Sequence, residues 1–153
     1  MLETKGIEVF SLNDVNGIDF YIDGAHEVDK NNNLIKGGGA AHTREKIVAA
    51  AAKDFVCIVD KSKLVDELGS FPLPIEVIPE SRSLVARKIV SLGGVPKLRV
   101  GTKTDQNNEI LDVTGLDLSD PLEIEKKLNS IAGVVDNGVF SINKPTKVLV
   151  SKV

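Results

Sequence analysis

Between residues 18 and 59 the chain alternates apolar runs with a glycine loop and a helix-forming segment, and that order narrows the fold more than any other feature. Residues 18–22 (IDFYI) and 55–59 (FVCIV) are dense in β-branched and aromatic side chains. Such runs predict parallel strands buried on both faces. Between them, residues 40–52 are rich in alanine and other strong helix formers. Strand, helix, strand implies a right-handed crossover, with ligand sites beyond the carboxyl ends of the strands. Asp23 and Asp60 stand at two such ends.

The remaining pattern divides the chain. Residues 6–10 alternate as a short strand would, and residues 11–17 (SLNDVNG) carry turn chemistry. Residues 61–69 predict a short helix. Phe71-Pro72-Leu73-Pro74 predicts a rigid connector, because closely spaced prolines prevent helix and interrupt a sheet ladder. Beyond it come a strand at 75–78 and a helix over 81–92 with Val85, Ile89 and Leu92 on one face. A hairpin joins 97–100 to 109–113, and a second helix over 121–131 aligns Ile124, Leu128 and Ile131. Asp120 is placed to cap that helix, with Pro121 at its first position. Residues 134–135 and 139–142 supply a closing strand, and 148–150 return to the first sheet. The expectation is an α/β chain. Residues 1–72 and 143–153 form an incomplete Rossmann-like parallel core, and residues 73–142 form an inserted ferredoxin-like α+β lobe. The first sheet is short of strands, so it expects completion by upstream residues or by other subunits.

Totals bear on function by exclusion. With 22 acidic and 19 basic residues the net charge is −3, spread without blocks. A nucleic-acid binder needs a basic face, and none is indicated. No apolar run approaches the roughly 20 residues of a membrane span, and nothing resembles an export signal. The single Cys57 can form no internal disulfide, which fits a reduced cytoplasmic setting. One cysteine and two histidines in unlike contexts, His26 and His42, argue against a metal site.

The chemistry gathers in residues 23–46. Asp23-Gly24-Ala25-His26-Glu27 is an acidic turn at the end of a strand, and Lys36-Gly37-Gly38-Gly39 leads into a helix. Three glycines let the backbone approach a ligand closely. A helix N-terminus then presents free N–H groups to an anion or a developing oxyanion. Taken singly, the loop could be a tight turn, Asp23 a turn cap and Glu45 an acid well placed for the helix dipole. Together, two acids and a lysine converging on a glycine loop supply a base, a second proton handler and an oxyanion stabiliser. That set suits proton abstraction beside a carbonyl without a metal, as in aldose–ketose isomerisation through an enediolate.

The acidic turn, the run Lys36-Gly37-Gly38-Gly39-Ala40-Ala41, Thr43-Arg44-Glu45-Lys46 and Phe71-Pro72-Leu73-Pro74-Ile75-Glu76-Val77-Ile78-Pro79 together resemble the A-type ribose-5-phosphate isomerases. So do Leu92-Gly93-Gly94, Ile110-Leu111-Asp112-Val113 and Ile131-Ala132-Gly133-Val134-Val135, in order over nearly the whole chain. The resemblance implies interconversion of ribose 5-phosphate and ribulose 5-phosphate, in the non-oxidative pentose phosphate pathway, with no metal or other cofactor. It implies Glu45 as the proton acceptor between C2 and C1, and Asp23 assisting ring opening and proton movement at the sugar oxygens. Lys36 to Gly39 would bind substrate and steady the enediolate, Gly24, Ala25 and His26 would line the site, and Lys63 would bind substrate at the phosphate. The family implies a homodimer, in some cases a tetramer. His26 stands where the family has a second aspartate; an imidazole can bond a sugar hydroxyl but lacks the carboxylate's charge. The family also carries an N-terminal βαβ segment with a phosphate-cradling loop, to which nothing in this sequence corresponds, so the expectation is a site without much of its phosphate cradle and a parallel sheet short of strands. Two rival readings follow: a non-catalytic sugar-phosphate-binding module, and a fragment serving assembly. Glu45 argues against the first, since binding alone needs no base there.

Overall fold

Three sheets and three α-helices make up the computed structural model, which describes residues 2–152. In chain order the first elements are β1 (Ile18–Asp23), β2 (Glu27–Val28), β3 (Leu34–Ile35), α1 (His42–Ala51) and β4 (Ala52–Val59). There follow β5 (Leu73–Val77), α2 (Arg82–Ser91), β6 (Val95–Leu98), β7 (Glu109–Thr114), α3 (Pro121–Asn129), β8 (Val134–Asn137), β9 (Val139–Phe140) and β10 (Lys147–Val150). Strands β1, β4 and β10 form a parallel sheet with β4 in the middle. Strands β6-β7-β5-β8 form an antiparallel sheet, while β2, β3 and β9 form a small antiparallel sheet of two-residue strands.

The small sheet joins two cores. Successive residues of a strand face opposite ways. Leu34 and Phe140 point into a cluster with Val28, Phe55, Cys57 and Val59 under the parallel sheet. Their neighbours Ile35 and Val139 point into the larger cluster of Leu73, Ile75, Val77, Val85, Ile89, Leu111 and Leu128. Four fully buried side chains thereby serve both cores.

Helix α1 is fastened by polar contacts where most helices use an apolar stripe. Its buried residues are His42, Thr43, Lys46 and Ala49. The Thr43 hydroxyl donates to Glu76 of β5, and the His42 ring contacts the Asp136 carbonyl at 3.3 Å. Lys46 Nζ reaches Asp136 at 2.8 Å, Glu125 at 3.0 Å and the Asn137 carbonyl at 2.6 Å. Glu76 is fully buried and accepts from Thr43, Thr104 and Asn108, so its carboxylate is satisfied by neutral donors.

Several expectations need correction. Residues 6–10 form no strand; Val9 and Phe10 lie 56% and 61% exposed, with no neighbouring strand to bond them among the described residues. In place of a helix over 61–69 there is one 3₁₀ turn, Lys61–Lys63, capped by Asp60. The parallel strands are not buried on both faces. Tyr21, Phe55 and Cys57 pack inward, whereas Phe20, Ile22 and Ile58 are 64%, 61% and 49% exposed, because the cluster around Phe140 covers one side only. Pro74 is no connector but part of β5, tolerated because pairing with β8 begins one residue later, at Ile75. Residues 139–142 do not extend the four-stranded sheet either: β8 closes it, and after Gly138 the chain enters the small sheet as β9. The remaining elements lie close to expectation, including the Asp120 cap on the Glu123 amide and the pairing of β10 with β4.

Candidate active site

A cleft of about 350 Å³ opens at the carboxyl end of β1. Asp23, Gly24, Ala25, His26, Lys36, Gly37, Gly39, Glu45 and Lys63 line it. Each arrives on a different device. Asp23 ends β1, Lys36 follows β3 and opens the glycine loop, Glu45 lies in the first turn of α1, and Lys63 ends the 3₁₀ turn after β4. Four elements that are separate in sequence thus aim their ends at one space.

Lys36 is the hub. Its side chain is 4% exposed, and its ammonium lies 2.8 Å from Asp23 Oδ2, 3.2 Å from Glu45 Oε2 and 2.5 Å from the Gly24 carbonyl. An ammonium this deep is tolerated because two carboxylates and a carbonyl face it. The two acids, roughly one-third exposed at their side chains, remain open to the cleft. Lys36 is seated by its own backbone, whose amide donates to the Gly138 carbonyl at 2.9 Å.

Asp23 is held ionised. Burial alone would raise its pKa, but hydrogen bonds from Lys36 and Tyr21, the Lys36 charge and the Gly24 amide outweigh that and lower it. The Tyr21 hydroxyl donates to Asp23 Oδ2. Burial, then the Asp23 bond and charge, push that phenol far above its ordinary range, so it stays a neutral donor. Beneath them Cys57 pairs with Asp23 in register, its thiol pushed up to about 11 by burial. The thiol is therefore protonated at neutral pH.

His26 lies flat on Phe71, with centroids 4.1 Å apart and ring planes within 4°. Its Nε2 accepts the Gly38 amide at 2.9 Å. The imidazole thereby supplies an acceptor for the glycine loop. Glu27, the last residue of the acidic turn, serves the scaffold instead. It is buried in β2 and accepts the amides of Gly69 and Phe71 at 2.7 and 2.6 Å.

Of the residues expected at the site, Asp23, Gly24, Ala25, His26, Lys36, Gly37, Gly39, Glu45 and Lys63 line one cleft, and Gly38 beside it donates to His26. Two participants carried no local signal. Tyr21 reads as one more apolar strand residue, although its place two before Asp23 puts both on one strand face. Arg99 reads as part of a hairpin, yet it donates to the Gly37 and Gly38 carbonyls at 3.3 and 2.9 Å.

The family model for ribose 5-phosphate isomerase A (phosphoriboisomerase A) matches residues 1–153. The chain belongs to that family. Named ribose-5-phosphate isomerases A from Actinobacillus succinogenes and Haemophilus influenzae are 58% and 57% identical over 151 residues, covering 98% of this chain and 69% of each relative. Among solved structures, ribose 5 phosphate isomerase A from Neisseria gonorrhoeae superposes with a TM-score of 0.95 at 48% identity, covering 97% of this chain and 67% of that one. A D-ribose-5-phosphate isomerase in complex with phospho-erythronic acid matches with a TM-score of 0.92 at 39% identity, over 98% of this chain and 69% of the other. The family is thus shown in both sequence and three-dimensional form, and it makes the chain an isomerase.

Proposed function

We propose that this chain interconverts ribose 5-phosphate and ribulose 5-phosphate through an enediolate, with Glu45 as the proton acceptor. One observation carries the reading: a buried ammonium, Lys36, holds two open carboxylates, Asp23 and Glu45, at 2.8 and 3.2 Å in a cleft also lined by Gly37 and Gly39.

Aldose–ketose exchange asks for that set. Ring opening comes first: Asp23, already ionised, accepts the anomeric hydroxyl proton as the C1–O4 bond breaks and passes it to O4, leaving the open-chain aldehyde. Glu45 then takes the proton from C2 of the open-chain aldose. The electrons of that bond form the C1–C2 double bond, and the carbonyl pair moves onto O1. Lys36 and the N–H groups at the start of α1 stabilise the resulting negative oxygen. Glu45 returns its proton to C1 while the C2 hydroxyl passes its proton, by way of Asp23, to O1, leaving the C2 ketone and the O1 hydroxyl of the ketose. Lys63, on the other side of β4's end, takes the phosphate. Phospho-erythronic acid, found on the relative above, spreads one charge over two carboxylate oxygens much as an enediolate does, which supports a site shaped for that intermediate.

The same reading extends to the whole chain. Residues 1–72 with 143–153 form a Rossmann-like catalytic core, and residues 73–142 a ferredoxin-like lobe; the strand order β6-β7-β5-β8 around two helices supports the latter. The working form is a cytoplasmic homodimer acting in the non-oxidative pentose phosphate pathway.

Glu45→Gln tests the base. Its turnover of ribose 5-phosphate should fall about 100- to 10,000-fold, and hydrogen exchange between C2 and solvent should fall with it. A variant that keeps near-normal turnover and exchange removes Glu45 from the role.

A further inference from the structure

Arg99 follows β6 in the second lobe, 62 residues beyond Gly37 in sequence. Its guanidinium is divided between two neighbours. Nε and Nη2 form a fork on Asp112 of β7, at 2.8 and 2.5 Å. Nη1 turns the other way and donates to the Gly38 carbonyl at 2.9 Å and the Gly37 carbonyl at 3.3 Å. A two-pronged contact fixes the guanidinium plane as a single ammonium contact cannot. The hairpin fixes the fork in turn: Lys97 lies opposite Asp112, and the Arg99 amide donates to Ile110 at 2.9 Å.

Three consecutive glycines have little conformational preference of their own. Gly37, at φ +102°, occupies a region that side-chain-bearing residues avoid. One tie lies within the turn, the Ala40 amide on the Gly37 carbonyl at 3.0 Å; the Gly38 carbonyl is oriented from outside, by Arg99. A trans peptide points its C=O and N–H in opposite directions. The Gly37–Gly38 peptide shows this directly, with its oxygen on Arg99 and its N–H on His26. By the same planarity, Arg99 on the Gly38 oxygen turns the Gly39 amide away from the second lobe.

We propose that Arg99, braced by Asp112, is a positioning residue for the isomerisation. It holds the Gly37 and Gly38 carbonyls toward the second lobe, so that, with the Gly38 N–H taken by His26, the loop presents the Gly39 N–H and not a carbonyl oxygen to the developing oxyanion. The proposal rests on the reading of the glycine loop as part of the enediolate's site. A peptide flipped the other way would set a carbonyl dipole against a negative oxygen. The penalty belongs to the intermediate and leaves phosphate binding alone.

Arg99→Lys keeps the charge and loses the fork, so it separates orientation from simple field. The measurements are kcat, KM for ribose 5-phosphate, and inhibition constants for phospho-erythronic acid and for inorganic phosphate. The expected result is a kcat lowered about 10- to 100-fold and a matching loss of affinity for phospho-erythronic acid. KM and phosphate inhibition should stay within about twofold. Asp112→Asn, which loosens the brace and leaves Arg99 in place, should shift the same two quantities in the same direction. The proposal is overturned if folded Arg99→Lys keeps both kcat and phospho-erythronic acid affinity, or if phosphate and phospho-erythronic acid weaken equally. Should Arg99→Lys fail to fold, an Asp112→Asn variant with unchanged kcat overturns it alone. Glu45→Gln in the same assay reads the underlying function separately: a full rate there sinks the base assignment, whatever Arg99 does.

Discussion

The His26 ring accepts the Gly38 amide through Nε2, so its proton belongs on Nδ1 and the ring is neutral. Burial lowers its pKa, the charges of Lys63, Lys36 and Arg99 add to this, and Glu27 opposes them. In the unfolded chain the imidazole takes a proton near its ordinary 6.5; the folded chain resists it. The unfolded state therefore binds more protons on acidification, and stability falls as pH drops below about 6.5 toward the depressed folded value. His42, lowered chiefly by burial, acts with the same sign. Thermal melts should show Tm declining from about pH 7 to pH 5, with His26→Gln removing part of that slope. A variant with an unaltered slope would clear His26 of any share. The residues to which the proposed chemistry is assigned were legible as a group because Asp23, Lys36 and Glu45 flank one glycine loop within 23 residues. Tyr21 was hidden because a tyrosine in an apolar run gives no sign of whether its hydroxyl meets solvent or a carboxylate.

At the scale of elements, α1 and the loop before it decide where Glu45 points. Thr43 and Lys46 grip β5, β8 and α3 on one side of the helix, which leaves Glu45 facing Lys36 on another. The sequence predicts the helix and the placing of Glu45 one turn in. It gives no hint that the flanking residues are anchors, since the partner of Thr43 lies 33 residues away and one partner of Lys46 lies 90 away. Lys46→Ala would strand Glu125, fully buried, without its cation. Chemical denaturation should show a loss of about 3–5 kcal/mol, and a loss under about 1 kcal/mol would mean the network contributes little. The glycines are not equivalent either. A Cβ at Gly37 would sit 2.7 Å from His42 Nδ1 on a backbone already at positive φ, whereas a Cβ at Gly39 meets nothing within 4 Å. Gly37→Ala should therefore cost about 2 kcal/mol or more, and Gly39→Ala should stay within about 0.5 kcal/mol. Equal losses in denaturant melts would refute this account of the loop.

Over the whole molecule, the order of strands and helices could be read from apolar periodicity and turn residues, and most elements lie within a few positions of expectation. Layering could not be read that way. Apolar density in β1 resembles burial on two faces, yet Phe20 and Ile22 face outward. The small sheet of two-residue strands has too short a period to register at all. That sheet's border holds a feature with a consequence for motion. Gly138 donates its amide to Pro74 at 2.8 Å and accepts the Lys36 amide at 2.9 Å, and a Cβ there would fall 2.3 Å from the Lys36 carbonyl. One residue thus ties the strand that bears the hub lysine to the four-stranded sheet. Opening that tie would release the two acids at the same moment. The Lys36 and Gly138 amides should accordingly exchange with deuterated solvent slowly and at a shared rate, as one cooperative unit. Rates that differ widely at these two positions would show instead that the ammonium can loosen while the sheets stay joined.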